Sequence, residues 1–351
     1  MEQTRIRKID DMHLHVRQGE MLRKVLPHTI SQCDRALVMP NTTPAILSNT
    51  DVIEYKKSII EALPQHSTFQ PLMTFKITPA AKPEQIAGLK QAGVLAGKLY
   101  PDGVTTNSEG GVTDFQSLYP LYEAMQNEGL VLCLHGEMPG EFSLDRETKF
   151  LIVLKQIAQN FPKLKIVLEH ATTADAVKCV MDLPENVAAT VTVHHLYLTL
   201  DDIIGDKLNP HAFCKPVAKR PEDREALREV VLKSNPKFFL GSDSAPHAIA
   251  DKECACGAAG VYSAPVLLPA LFELFEKEDK LDNLEAFTSL FGAQFYGLPV
   301  NQNFVTLLKE NWSVPQEYGG VKPFLSGTNL RWRVATEISP EPKIEAALHN
   351  Q

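Results

Sequence analysis

The sequence is short of the features that mark specialised chains. It holds 2 Trp and 6 Cys in 351 residues, and the cysteines at 33, 133, 179, 214, 254 and 256 are scattered except for the last two. Such spacing does not make a disulfide framework and reads as reduced thiols of a cytoplasmic protein. Positive charge is not in excess. The net charge of −8 argues against nucleic acid or an anionic membrane as partner. No apolar run reaches the length of a membrane span, and the opening Met1–Arg7 lacks the apolar segment of a secretory signal. No linker rich in Pro, Gly or Ser divides the chain. What is left is an ordinary soluble composition, 44% hydrophobic and 22% charged, in a length that suits one large α/β barrel or two modest domains.

Short apolar runs rich in Val, Ile, Leu and Phe alternate with stretches of helical period. Eight strands are expected at residues 8–15, 35–40, 70–77, 94–100, 130–135, 164–170, 187–193 and 237–243. Helices are expected at 51–62, 83–92, 115–128, 146–159, 173–181 and 221–233, with two more at 265–277 and 284–291. Asn49-Thr50 is the candidate cap of the first, and Pro120 marks a possible later start of the third. Eight β/α units in this length point to a (β/α)₈ TIM barrel spanning residues 1–338, with residues 339–351 as a polar tail.

The polar residues fall at one place in the repeat. The first strand ends in His13-Leu14-His15, the fourth in Lys98, the fifth in His135, the sixth in Glu169-His170 and the eighth in Asp243. Catalytic side chains of such barrels project from the C-terminal ends of the strands. On a regular strand His13 and His15 face one way, and Met12 and Leu14 the other. Four imidazoles and a carboxylate suit zinc or a similar divalent ion, and exceed what one open site needs. Lys98 is the odd member. It reads either as a charge neutraliser or, neutral when buried, as an amine that takes up carbon dioxide to become a bridging carbamate. Beside four His and an Asp the bridge is preferred. A hydroxide bridging two metals is a nucleophile at neutral pH, and Asp243 is the candidate general base that becomes the general acid. Arg17, Asn41 and His247 lie close to these segments and suit a small anionic substrate with a carboxylate.

Taken together, Asp11-Met-His13-Leu-His15-Val-Arg17, Met39-Pro-Asn41-Thr42, Gly97-Lys98-Leu-Tyr100-Pro101, Thr105-Thr106-Asn-Ser108, Leu134-His135-Gly-Glu137, Glu169-His170-Ala-Thr-Thr173, Gly241-Ser-Asp243-Ser-Ala-Pro-His247 and Gln294-Phe-Tyr-Gly-Leu-Pro299 resemble one family. It is the short, homodimeric bacterial class of dihydroorotases in the amidohydrolase superfamily, and the resemblance runs over residues 8–335. The resemblance implies two zinc ions per subunit. His13, His15 and Asp243 would hold one, His135 and His170 the other, and N6-carboxylated Lys98 would bridge them. It implies interconversion of N-carbamoyl-L-aspartate and L-dihydroorotate, the third step of pyrimidine synthesis. Arg17, Asn41 and His247 would take the substrate carboxylate, His135 would also touch substrate, and backbone groups of Lys215 and Ala259 would meet the ring. The family usually has an apolar residue where Lys215 stands, which a backbone contact tolerates. Thr105 and Thr106 would belong to a lid.

His194 and His195 end the seventh expected strand and are set aside as supporting groups. The Cys254-Ala255-Cys256 spacing does not match a zinc knuckle. Three competing readings are a hydantoinase or dihydropyrimidinase, a Schiff-base aldolase using Lys98, and an inactive scaffold. The carboxylate clamp argues against the first, the histidines around Lys98 against the second, and the retention of all six ligands against the third.

Overall fold

The computed structural model describes residues 2–335; the expected tail at 339–351 lies outside them. Two sheets organise the chain. The larger contains β2 (Ile9–Leu14), β3 (Cys33–Val38), β4 (Gln70–Ile77), β5 (Val94–Leu99), β6 (Val131–His135), β7 (Ile166–Glu169), β8 (Val187–Val191) and β9 (Phe238–Leu240). They lie in sequence order and every neighbouring pair is parallel. Just beyond β9, Asp243 donates its N–H to the carbonyl of His13 (2.9 Å) and His15 donates to that of Ser244 (3.2 Å). These bonds draw the last strand against the first. The expected (β/α)₈ barrel is the observed architecture.

The strands are legible because a parallel sheet with helices outside is buried on both faces, so its strands read as continuous apolar runs. A cluster of Met12, Leu37, Ala96, Val131, Val167, Ala188 and Phe239 takes side chains from seven strands and fills the barrel interior. Leu14, by contrast, packs in the outer core against the helices. Met12 and Leu14 therefore do not share a face as expected. Strand pairing is irregular between Asp11 and Leu14, and this breaks the alternation while leaving His13 and His15 at the rim.

Helices follow the expected pattern with shifted ends. Asn49–Glu61 is capped by Ser48, one residue before the expected cap: its side chain accepts from Asp51 N–H (3.2 Å), and Asp51 Oδ2 accepts from Ser48 N–H (2.8 Å). Tyr119–Glu128 begins beside Pro120, in the first turn where a missing N–H costs nothing. Thr173 caps Ala174–Asp182. Gly19–Ile30 is a helix absent from the expected set; Pro27 lies inside it.

The smaller sheet is antiparallel, in the order β1 (Gln3–Arg7), β10 (Phe304–Ser313), β11 (Asn329–Val334). β10 stands between β1 and β11 and pairs with both.

Candidate metal centre and substrate pocket

His13, His15 and Asp243 converge where β2 ends and the chain leaves β9. Their ligand atoms lie within 4.8 Å of one another, and all three residues are buried. Asp243 Oδ1 is 3.1 Å from His15 Nε2 and 3.4 Å from His13 Nε2. Burial alone would raise the pKa of Asp243, but the bond to His15 and the nearby imidazoles hold it well below the usual carboxylate range. Burial lowers His15 to about 4, against the opposing pull of Asp243. Asp243 and His170 both have φ of 44° and Arg17 has φ of 60°. Left-handed backbone at non-glycine residues costs about 1–3 kcal/mol and concentrates at functional sites.

Lys98 is fully buried on β5, and its Nζ has no hydrogen-bond partner. Burial lowers its pKa, opposed mainly by Glu169. An unpaired ammonium here would be costly; the neutral amine is the form this pocket favours. The ring of His170 lies 4.7 Å from that of His135 and 5.1 Å from that of His13. The histidines expected to act together thus form one continuous cluster beside the lysine.

Three carboxylates missing from the expected site hold the cluster in place. Glu169 Oε2 accepts from His13 Nδ1 at 2.8 Å and from the Thr190 hydroxyl at 2.6 Å. Glu137 Oε2 accepts from His135 Nε2 at 2.7 Å. Each bond fixes a tautomer, leaving His13 Nε2 and His135 Nδ1 with the lone pairs a cation needs. Asp11 joins the two ends of the barrel seam: it accepts from His13 N–H (3.1 Å), from Ser242 N–H (2.8 Å) and from the Ser242 hydroxyl (2.5 Å). Glu169, Glu137 and Asp11 all stand within the quoted motifs, so their adjacency to ligand histidines was the available signal. The donor set, the fixed tautomers and the orphaned Lys98 Nζ fit divalent metal.

The substrate side opens from the same cluster into a narrow cavity that Arg17, Asn41 and Ala259 line together with the histidines. Arg17 donates through Nε to the Pro246 carbonyl and through Nη2 to His247 Nε2, both at 2.9 Å. Burial and the positive charges of Arg17 and Lys252 lower His247 to about 3, so it is a neutral acceptor there. Asn41 Nδ2 donates to the Thr106 carbonyl at 3.2 Å, and Asn107 donates back to the Asn41 carbonyl at 2.9 Å. The Thr106 hydroxyl reaches the Ala259 carbonyl at 3.4 Å. Thr105, Thr106, Lys215 and Ala259 all line the cavity with the metal-binding candidates. Tyr100, not expected, lines it as well, its ring 6.2 Å from His135.

His194 and His195 sit on the short helix Val193–Tyr197, not on the end of a strand. They cluster with Cys214, but His195 Nε2 already meets the Pro216 carbonyl at 3.0 Å and its Nδ1 meets Thr192 Oγ1 at 2.9 Å. Burial pushes the Cys214 thiol up to about 12. A protonated thiol is a poor ligand. Cys254 and Cys256 are exposed, their sulfurs 3.9 Å apart.

A (β/α)₈ barrel carrying histidines, a buried lysine and an aspartate on its C-terminal rim defines an amidohydrolase, and the model of the Amidohydrolase family matches residues 72–189. The dihydroorotase of Neisseria gonorrhoeae is 45% identical over 342 residues, covering 95% of this chain and 99% of that one. Among solved structures, the Saccharomyces cerevisiae dihydroorotase in complex with 5-fluoroorotic acid superposes with a TM-score of 0.89 at 38% identity, covering 95% and 99% of the two chains. The Campylobacter jejuni dihydroorotase gives 0.89 at 39% identity, covering 95% and 98%. The chain belongs to the dihydroorotase family.

Proposed function

We propose that this chain works as a zinc-dependent dihydroorotase, hydrolysing the ring amide of L-dihydroorotate to N-carbamoyl-L-aspartate and closing it in reverse, within pyrimidine synthesis. The observation that carries this reading is that one cavity joins the cation-binding cluster to a carboxylate clamp built on Arg17. In this reading His13, His15 and Asp243 would hold one ion and His135 and His170 a second, with carboxylated Lys98 as the ligand they would share. The ions would supply a lowered pKa to attacking water and polarise the scissile carbonyl.

The chain's own groups do the rest. Arg17, neighbouring His247 and Asn41 grip the substrate carboxylate and fix which ring face meets the cluster. The backbone of Lys215 and Ala259 holds the ring, and the Thr105–Thr106 segment excludes bulk water. Asp243 accepts the proton released as the water oxygen bonds to the carbonyl carbon. It then hands that proton on to the ring nitrogen as the C–N bond breaks. Closure runs the same transfers backwards. The reading includes a homodimer in the cytoplasm, for which light scattering at twice 38.9 kDa is the check on assembly.

The direct test is turnover of L-dihydroorotate by purified protein, followed as loss of ultraviolet absorbance, after chelator treatment and after zinc return. The expected result is activity abolished by chelator and restored by zinc. Absence of turnover in zinc-loaded protein would overturn the substrate assignment.

A further inference from the structure

Lys252 ends the short helix Ile249–Lys252 and is 3% exposed. Its Nζ donates to three backbone carbonyls: Phe213 at 2.9 Å, Ala258 at 2.9 Å and Gly260 at 2.6 Å. An ammonium has three protons, and here each has an acceptor. The three carbonyls belong to two segments far apart in sequence. Phe213 lies two residues before Lys215, while Ala258 and Gly260 flank Ala259 on both sides. The segments also meet through Gly260 N–H, which donates to the Phe213 carbonyl at 2.9 Å.

Three carbonyl dipoles aimed at one point repel one another unless a cation sits there. Lys252 supplies that cation without lining the cavity of the metal-binding candidates; it lines the neighbouring pocket with Lys215 and Ala259. On the pocket side the loop has no slack. Gly260 has φ of 154°, and a Cβ there would stand 2.6 Å from the Ala245 carbonyl oxygen and 2.9 Å from the His247 ring. Ala259 accepts from the Thr106 hydroxyl at 3.4 Å, so it connects the lid at Thr106 to the loop that Lys252 ties down.

We infer that Lys252 is a positioning residue that holds the Lys215 and Ala259 backbones at the spacing required by the substrate ring. The inference rests on the proposed dihydroorotase reading. It assigns Lys252 to ring binding, not to chemistry: the bond-making groups are on other elements, and Lys252 reaches none of them.

Steady-state kinetics of zinc-loaded Lys252→Met with L-dihydroorotate tests this, with zinc content and thermal midpoint measured alongside. The expected result is KM raised about fivefold or more with kcat within about threefold of the parent and zinc content unchanged. If the Met variant does not fold, Lys252→Gln, which keeps two donor protons without the charge, is expected to show the same split. A folded variant whose KM stays within about twofold of the parent, or which loses kcat at constant KM, overturns the inference. Parent protein without turnover would instead overturn the reading on which it rests.

Discussion

Arg17 and Asp243 sit on the same cavity but are expected to fail differently. Arg17 is partly buried, and two of its donors are already committed to the Pro246 carbonyl and His247. This holds the guanidinium in place before substrate arrives. Removing it takes away a charge-assisted contact worth about 1.5–3 kcal/mol, present in both the ground and the transition state. Arg17→Ala is expected to raise KM about tenfold or more with a smaller change in kcat; an unchanged KM would remove the clamp from the mechanism. Asp243→Asn keeps the shape and one acceptor but cannot take a proton. It is expected to fold with a near-parental thermal midpoint and lose kcat by at least about a hundredfold. Near-normal turnover in that variant would sink the proton role. The expected site residues came from side chains whose type is rare at a strand end. The supporting carboxylates were hidden because their role is a contact: Glu169 meets His13 across 156 positions and Asp11 meets Ser242 across 231.

At the level of elements, β5 carries Lys98 next to Gly97, and that pairing sets how the lysine projects. A Cβ on Gly97 would stand 2.7 Å from the Phe75 ring and 2.9 Å from Ile77 Cδ1, both fully buried on β4. Neither can swing into solvent, so β5 or the packed side chains of β4 must shift. Overpacking of this kind costs about 1–3 kcal/mol. Gly97→Ala is expected to lower the unfolding free energy measured by denaturant titration by that amount and to reduce bound zinc, since the displaced strand carries the proposed bridge. Full zinc content at parental stability would show that the strand has room. The eight parallel strands were legible because their burial on both faces leaves a simple apolar signature. Gly19–Ile30 was not: Pro27 lies inside it and argues against a helix, although Leu22, Val25, Leu26 and Thr29 form its buried face. β10 was missed because polar residues, Lys309 to Asn311, occupy its middle. It becomes a strand by pairing with β1, about 300 positions away, a partnership no local pattern encodes.

The whole molecule buries imidazoles on an unusual scale, and this ties its stability to pH. Burial lowers His15 and His194 to about 4 and His247 to about 3, and it depresses His135, His170 and His195 as well. The unfolded chain titrates these groups near the ordinary value of about 6.5. Between that value and the folded one, the unfolded state binds more protons, so acid favours unfolding. The stabilisation is complete above about pH 6.5 and is lost as pH falls towards about 4, at up to about 1.4 kcal/mol per pH unit for each group. The proposed zinc would add to the same dependence. Zinc binds neutral imidazole, so each ion would compete with protons for its ligands, and at a hundred times its Kd it would stabilise by about 2.7 kcal/mol. Thermal unfolding in chelator is therefore expected to show a midpoint that falls steadily from pH 7 to pH 5. Added zinc should raise that midpoint at pH 7 and lose most of its effect by pH 5. A midpoint in chelator that stays level over this range would mean that the imidazoles are already charged in the fold. Charged imidazoles cannot offer lone pairs to a cation, so that result would weigh against the metal centre as well as against the stability argument.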